Sequence, residues 1–170
     1  MIKQVAALSA LMAAGVLAAC APVPEASRAT EQSVDAVSDR AESILAITQR
    51  VIGDDDWTVE TAWSPCAEDG GRFVRHTLWA ESAAVIDGDR MDLAQEVAES
   101  WKPLGLAARA ENAPDTPDNV VVSDPPFLYG TDENGELTRL QIGPTFTSLQ
   151  VSSACVPGNV LELNSRTSSP

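Results

Sequence analysis

Apolar residues between Ser33 and Cys155 recur with two different periods, and this alternation restricts the chain to a mixed α and β fold. From Ser33 they recur at alternating steps of three and four, which predicts an amphipathic helix that ends at Gly53. A second helix is expected to start at Asp89, whose carboxylate can cap it, and to end before Gly105. Because each helix has one apolar side, both are expected to pack on a sheet.

Segments with a period of two predict the strands of that sheet. The first two form a hairpin with Cys66 in its connecting loop, and the others follow the second helix. The predicted strands are residues 57–63, 72–80, 120–122, 137–142 and 146–155, with residues 106–110 as a candidate short strand. The expected fold is α+β, with a mostly antiparallel sheet of about five strands, two helices on one face and the order α-β-β-α-β-β-β.

The N-terminal segment has the features of an export signal. One cation, Lys3, precedes an apolar run that is long enough for a signal-peptide core and too short to span a bilayer. The run ends in Leu17-Ala18-Ala19-Cys20, which resembles the lipobox of bacterial lipoproteins. The resemblance implies that a diacylglycerol, with acyl chains such as palmitate, is attached to the Cys20 sulfur, and that cleavage occurs before Cys20. An ordinary secretory signal with an incidental cysteine is the alternative.

This reading divides the chain into four segments. Residues 1–19 are the lipoprotein signal peptide, and residues 20–32 are the lipidated cysteine and a flexible tether with a reach of roughly 20 Å. Residues 33–157 form a single α+β domain, and residues 158–170 are a polar tail with a candidate edge segment at 160–163. Lysine is scarce and alanine abundant, and in this style the chain resembles small actinobacterial lipoproteins of unknown function. The expected location is the extracytoplasmic face of the cell membrane.

The charge balance excludes some partners. The chain has 25 acidic and 11 basic residues and a formal net charge of −14. This argues against nucleic-acid binding, which needs a basic surface, and against adhesion to anionic lipid. Solubility explains the acidic balance, with a diffuse cation-binding surface as the alternative.

The cysteines predict one disulfide. If Cys20 carries lipid, only Cys66 and Cys155 remain, and an exported protein lies in an oxidising compartment where their bond persists. Two free or metal-binding thiols are the alternative. Because the chain has one histidine and no CxxC pair, a zinc site lacks ligands, and neither a metal nor a cofactor is expected.

Catalytic candidates are few. His76 is the sole histidine and lies in the middle of a predicted strand, where a structural role is expected and a general-base role is the alternative. The run Asp54-Asp55-Asp56 is expected to be a solvated loop, with a calcium site as its alternative. No enzymatic activity is therefore expected.

Tryptophans are the remaining candidates for binding. Trp57, Trp63 and Trp79 lie on the first hairpin, where they pack in the core or line a groove for an apolar or glycan ligand. The expected function is that of a lipid-anchored extracytoplasmic protein with a non-catalytic binding or accessory role in the cell envelope, with an envelope protein or such a ligand as its partner. A small envelope hydrolase that uses His76 and a purely structural lipoprotein are the alternatives.

Overall fold

The computed structural model describes residues 32–66, 72–126 and 130–167. The helices in these ranges are α1 (Val34–Ile52), α2 (Arg90–Trp101) and α3 (Val160–Thr167), with a 3₁₀ turn at Lys102–Leu104. The strands are β1 (Trp57–Pro65), β2 (Phe73–Ser82), β3 (Arg109–Asn112), β4 (Val120–Asp124), β5 (Leu137–Ile142), β6 (Thr147–Ser152) and β7 (Val156–Pro157). The chain order is α1-β1-β2-α2-β3-β4-β5-β6-β7-α3.

The strands form one sheet in the order β1-β2-β6-β5-β4-β3, and every neighbouring pair is antiparallel. The short β7 also pairs with β2, antiparallel and off this path. The mixed α and β fold with a mostly antiparallel sheet is therefore confirmed. In detail the described residues contain more than predicted, with seven strands instead of about five and three helices instead of two.

The two predicted helices start and end where the sequence indicates. The Ser33 hydroxyl accepts a hydrogen bond from the Ala36 amide at 3.1 Å at the start of α1, and Gly53 follows its last turn with a φ of 118°. Asp89 caps α2 and accepts from two amides, those of Met91 at 2.8 Å and Asp92 at 3.3 Å. These side chains satisfy amides that have no partner within the helix.

The helix α1 packs on the sheet, as its apolar stripe predicts. Its buried residues are Val37, Ala41, Ile44 and Thr48.

Among the described residues, no helix combines the length and apolar character needed to span a bilayer.

Side chains alternate between the two faces of the sheet, and the helices pack on one of them. On β2, this helix-covered face carries Val74, His76, Leu78 and Ala80, all buried. The opposite face, here called the open face, carries Arg75, Thr77, Trp79 and Glu81 on the same strand. The main core joins α1, α2 and the helix-covered face; its sheet residues are Leu78, Ala80, Val120, Val122, Leu140, Ile142, Leu149 and Val151.

A buried polar contact joins α1 to α2 inside this core. The indole Nε1 of Trp101 donates to the Thr48 hydroxyl at 3.1 Å, and that hydroxyl donates to the Ile44 carbonyl at 2.8 Å. Trp101 and Thr48 are both fully buried. Because a buried N–H without a partner is costly, this pair fixes how the two helices face each other.

The C-terminal segment differs from the prediction. Residues 158–170 were expected to be a polar tail with an edge strand at 160–163, but Val160–Thr167 is the helix α3. The Asn159 side chain accepts from the amides of Leu161 at 3.0 Å and Glu162 at 3.3 Å, as a helix cap does. Leu163 is buried in a second core cluster. The physical reason is that this cluster supplies a partner for the apolar side of the helix.

That second cluster lies at one end of the sheet. It joins α1, β1, β2, β7 and α3 through the buried residues Val37, Trp63, Val74, Val156 and Leu163. The side-chain amide of Asn164 also pairs with the backbone of β1, since it accepts from the Trp63 N–H and donates to the Trp63 carbonyl, both at 3.0 Å. The helix α3 therefore occupies backbone groups of an edge strand.

Candidate functional site

The predicted disulfide is confirmed. Cys66 and Cys155 are bonded, with their Cα atoms 6.3 Å apart and 89 positions apart in sequence. Cys66 directly follows β1, and Cys155 directly precedes β7. The Arg75 guanidinium lies beside the bond, with Nη2 3.7 Å from the Cys155 sulfur, and its Nε donates to the Ser153 carbonyl at 3.0 Å. This end of the sheet is thus held by a covalent bond and an arginine.

The predicted lipidation site, Cys20, lies outside the described residues, as do the signal peptide and all of the predicted tether except residue 32. The lipid anchor therefore stays a prediction.

The three tryptophans of the first hairpin do not share one groove. Trp57 and Trp63 lie opposite Ser82 and His76 on the helix-covered face, whereas Trp79 lies on the open face. Trp63 is buried in the second cluster, and Trp57 packs against the main core with its Nε1 2.8 Å from the Gly53 carbonyl. The three side chains cannot line one groove. Trp79 shares a face with its partner Glu60, and Glu60 is three positions from both Trp57 and Trp63 on β1, so it points to the face opposite theirs. Trp79 alone remains exposed, at 44%.

His76 is buried beside Trp63. The two ring centroids are 4.7 Å apart with the planes tilted by 47°, and His76 is 2% exposed. Its Nδ1 has no hydrogen-bond partner among the described residues. Burial lowers the pKa of this imidazole below its usual value, because a buried site disfavours the charged form. A neutral imidazole in a packed core suits a structural role.

The aspartate run lies on the surface. Asp54, Asp55 and Asp56 are exposed in the loop between α1 and β1, and Asp56 has a positive φ of 58°. The Asp55 carbonyl accepts from the Ser82 hydroxyl at 3.3 Å, which holds the loop at the start of the hairpin. In the part of the chain that the structure describes, no group of three metal-binding side chains converges.

A small cavity of about 100 Å³ lies between the start of α1 and the ends of β4, β5 and β6. Its walls include Arg40, Asp124, Asp132 and Thr138. The Asp132 carboxylate already accepts from the amides of Asn134 at 2.9 Å and Glu136 at 2.7 Å, which shapes the turn before β5. We assign this carboxylate to the fold, since its acceptor sites serve the backbone.

The open face carries a shallow depression of about 230 Å³ around Trp79. Its lining consists of Thr58, Glu60, Trp79 and Glu81, here called the Trp79 block. Glu60 lies directly opposite Trp79 across the β1–β2 pair, and Thr58 lies opposite Glu81. The Trp79 Nε1 donates to Glu81 Oε1 at 3.3 Å, which orients the indole ring. The block therefore presents an oriented aromatic surface, two carboxylates and a hydroxyl together.

The surroundings of the block are polar and uncharged. Gln150 of β6 lies opposite Trp79 on its other side, and Ser148 lies opposite Glu81. The two nearest arginines of this face are further away: Arg75 lies four residues along β2 and Arg139 two strands across. These steps correspond to about 13 Å and about 10 Å. The two carboxylates therefore dominate the local charge.

Sequence reasoning named Trp79 but missed Glu60, Glu81 and Thr58. The alternation along the hairpin places Glu81 on the same face as Trp79, so that contact could have been found. Predicting that Glu60 and Thr58 lie beside Trp79 and Glu81 also requires the register of β1 against β2. The sequence of the loop through Cys66 does not reveal that register.

No family model matches the chain, and no curated protein does. The chain is similar to the crystal structure of a DUF4853 family protein from Actinomyces odontolyticus, with 14% sequence identity over 72% of this chain and 67% of that one, and a TM-score of 0.49. A match at this identity and TM-score assigns neither a family nor a function to the chain.

Proposed function

We propose that this protein is a lipid-anchored, extracytoplasmic binding module of the bacterial cell envelope, and that the Trp79 block is its ligand-binding surface. The observation that carries the proposal is an indole 44% exposed in the middle of a strand. Tryptophan is enriched at binding interfaces, because its ring offers a large apolar contact area while its indole N–H finds a polar partner. The lipobox-like Leu17-Ala18-Ala19-Cys20 supports the location.

The environment of His76 favours binding over hydrolysis. The imidazole packs on Trp63 inside the second cluster, and burial disfavours its protonated form. A general base must reach a substrate proton within hydrogen-bond distance, which a packed ring on the helix-covered face does not offer. Loss of envelope function in the His76→Phe variant, without a change in its melting temperature, would instead support the hydrolase.

The fold also separates the block from the anchored end. The start of α1, where the tether would join, packs near Val74 through Val37, and Trp79 lies five residues further along β2. Five residues of strand span about 17 Å. The block is thus displaced along the sheet from the point where the proposed tether would join.

The anchor is tested by Cys20→Ser. Because a hydroxyl cannot form the thioether, the variant should leave the membrane fraction, and the wild type should carry a diacylglycerol mass. A wild-type protein without lipid mass, together with a variant that stays fully with membranes, would refute the anchored location.

The binding surface is tested with isolated cell-wall sacculi and the full-length protein in a non-ionic detergent. The wild type should sediment with sacculi, and Trp79→Ala should reduce the bound fraction. Val59→Ala is the matched control, since Val59 is 43% exposed on the same hairpin but on the other face. Equal sedimentation of all three proteins, or none, would overturn this assignment of the ligand surface.

A further inference from the structure

We infer that the Trp79 block binds an organic ammonium ion, such as a quaternary or primary alkylammonium group of an envelope ligand. This inference rests on the proposed function, and it names the ligand chemistry of the same surface. Two features carry it: an indole ring that is open to solvent, and carboxylates on two sides of that ring. An aromatic ring attracts a cation to its face, and trimethylammonium groups are recognised in this way.

The charged side chains around the ring determine whether the ligand is a cation or an anion. Glu60 lies across the strand pair from Trp79, and Glu81 lies next along its own strand within hydrogen-bond distance of the indole. The nearest arginines of the open face are two strands or four residues away. At the β1 start, the exposed run Asp54-Asp55-Asp56 adds three more carboxylates beyond Thr58. The charges nearest the ring would therefore repel an anionic ligand.

Shape and chemistry then select an organic cation. A bare Ca²⁺ needs six to eight oxygen ligands around it, and the described residues contain no converging metal-binding group. A neutral sugar can stack on an indole and donate hydroxyls to the two carboxylates, but it leaves their negative charge uncompensated, whereas an ammonium ion neutralises it. The depression of about 230 Å³ lies below the usual range for drug-sized ligands and suits a single head group.

The experiment compares two ligands of equal shape. Choline and its uncharged isostere 3,3-dimethylbutan-1-ol are titrated against the full-length protein in a non-ionic detergent, and saturation-transfer NMR follows their methyl signals. We expect weak, millimolar binding of choline, little binding of the isostere, and a loss of choline affinity at high ionic strength. Equal binding of both compounds would show an apolar site and overturn the inference.

Variants separate the ring from the charges. Trp79→Leu keeps apolar bulk without an aromatic face and should abolish choline binding, whereas Trp79→Phe should weaken it about threefold. Glu60→Gln and Glu81→Gln should each weaken choline binding about threefold, as expected for exposed charges. Val59→Ala, on the other face, should leave it unchanged. Because the substituted side chains are exposed, circular dichroism melts serve as the folding control.

The outcomes also separate this inference from the proposed function. If Trp79→Ala loses sacculi while Glu60→Gln and Glu81→Gln bind choline as the wild type does, the binding surface stands and the ammonium inference fails. If choline binds as expected but sacculi do not, the inference stands and the cell-wall assignment fails.

A further arm distinguishes a soluble or wall-borne ammonium from a lipid head group. The lipidated protein is placed in phosphatidylglycerol or phosphatidylcholine vesicles, and choline is titrated into each. Equal choline affinity supports a ligand beyond the membrane, in agreement with the displacement of the block from the anchored end. Weaker affinity in phosphatidylcholine supports occupation by head groups of the same chemistry. No choline binding in either vesicle would contradict the inference.

Discussion

At the residue scale, the alternation of side chains along β2 places its two candidate functional residues on opposite faces of the sheet. His76 and Trp79 are three positions apart on β2 and therefore point to opposite faces. His76 is 2% exposed and its Nδ1 has no partner among the described residues, whereas Trp79 is 44% exposed. The same strand thus buries its imidazole in the fold and presents its indole to solvent.

The buried imidazole predicts a pH dependence of stability. Burial lowers the pKa of His76 in the folded state, while the unfolded chain keeps a value of about 6.5. As the pH falls below about 6.5, the unfolded state therefore binds more protons than the folded state, and stability decreases. We expect the melting temperature, followed by circular dichroism, to fall between pH 7.5 and pH 5.5. Carboxyl groups titrate mainly below this window.

His76→Phe is the matched variant for that measurement. A phenyl ring keeps the packing on Trp63 and removes a buried nitrogen that lacks a partner, so stability at pH 7.5 should be equal or higher. The decrease toward pH 5.5 should also flatten. A slope as steep as that of the wild type would mean that another group causes the pH dependence.

At the element scale, local patterns predicted the helices and strands that carry their own signals. Ser33 and Gly53 bound α1, and Asp89 starts α2, because caps and terminators act within a few residues. The sheet order could not be predicted, since the pairing of β2 with β6 joins segments about 70 positions apart. The helix α3 was missed because Val160-Leu161-Glu162-Leu163 suits a short edge strand as well as a helix. Tertiary packing in the second cluster decides between them.

The contact of α3 with β1 gives an element-scale prediction. Asn164→Ala removes two hydrogen bonds to the Trp63 backbone and should lower the free energy of unfolding by about 1–3 kcal/mol in urea. Hydrogen exchange of the Trp63 amide should accelerate, since that N–H loses its acceptor. Ser165→Ala, at an exposed position of the same helix, is the control. Unchanged Trp63 exchange in Asn164→Ala would show that α3 does not hold the edge of β1.

At the scale of the whole molecule, the sheet has one reinforced end, and the proposed ligand surface lies apart from it. The disulfide, the Arg75 contacts, the second cluster and α3 gather around the end where β7 meets β2. The Trp79 block lies further along the β1–β2 pair, on the open face that also carries Arg75. If the chain is tethered through Cys20, the reinforced end is the one that joins the tether. The proposed binding surface would then lie on the same rigid sheet as the reinforced end, at a distance from the anchor.

The contribution of the disulfide to the stability of the fold can be predicted. It joins positions 89 apart, and closing a loop of that length restricts the unfolded chain enough to stabilise the fold by about 4–5 kcal/mol on the chain-entropy model. This contribution is measured by urea unfolding of the wild type, with and without reductant, and of the double variant Cys66→Ala/Cys155→Ala. The free energy of unfolding should fall by that amount in both the reduced and the doubly substituted protein. Intact mass should differ by two hydrogens on reduction.

Because the Trp79 block lies away from this bond, choline affinity under native conditions should be the same in the doubly substituted protein. Native thiols that alkylate freely without reductant would contradict the bond, and an unchanged unfolding midpoint after full reduction would contradict its role in stability.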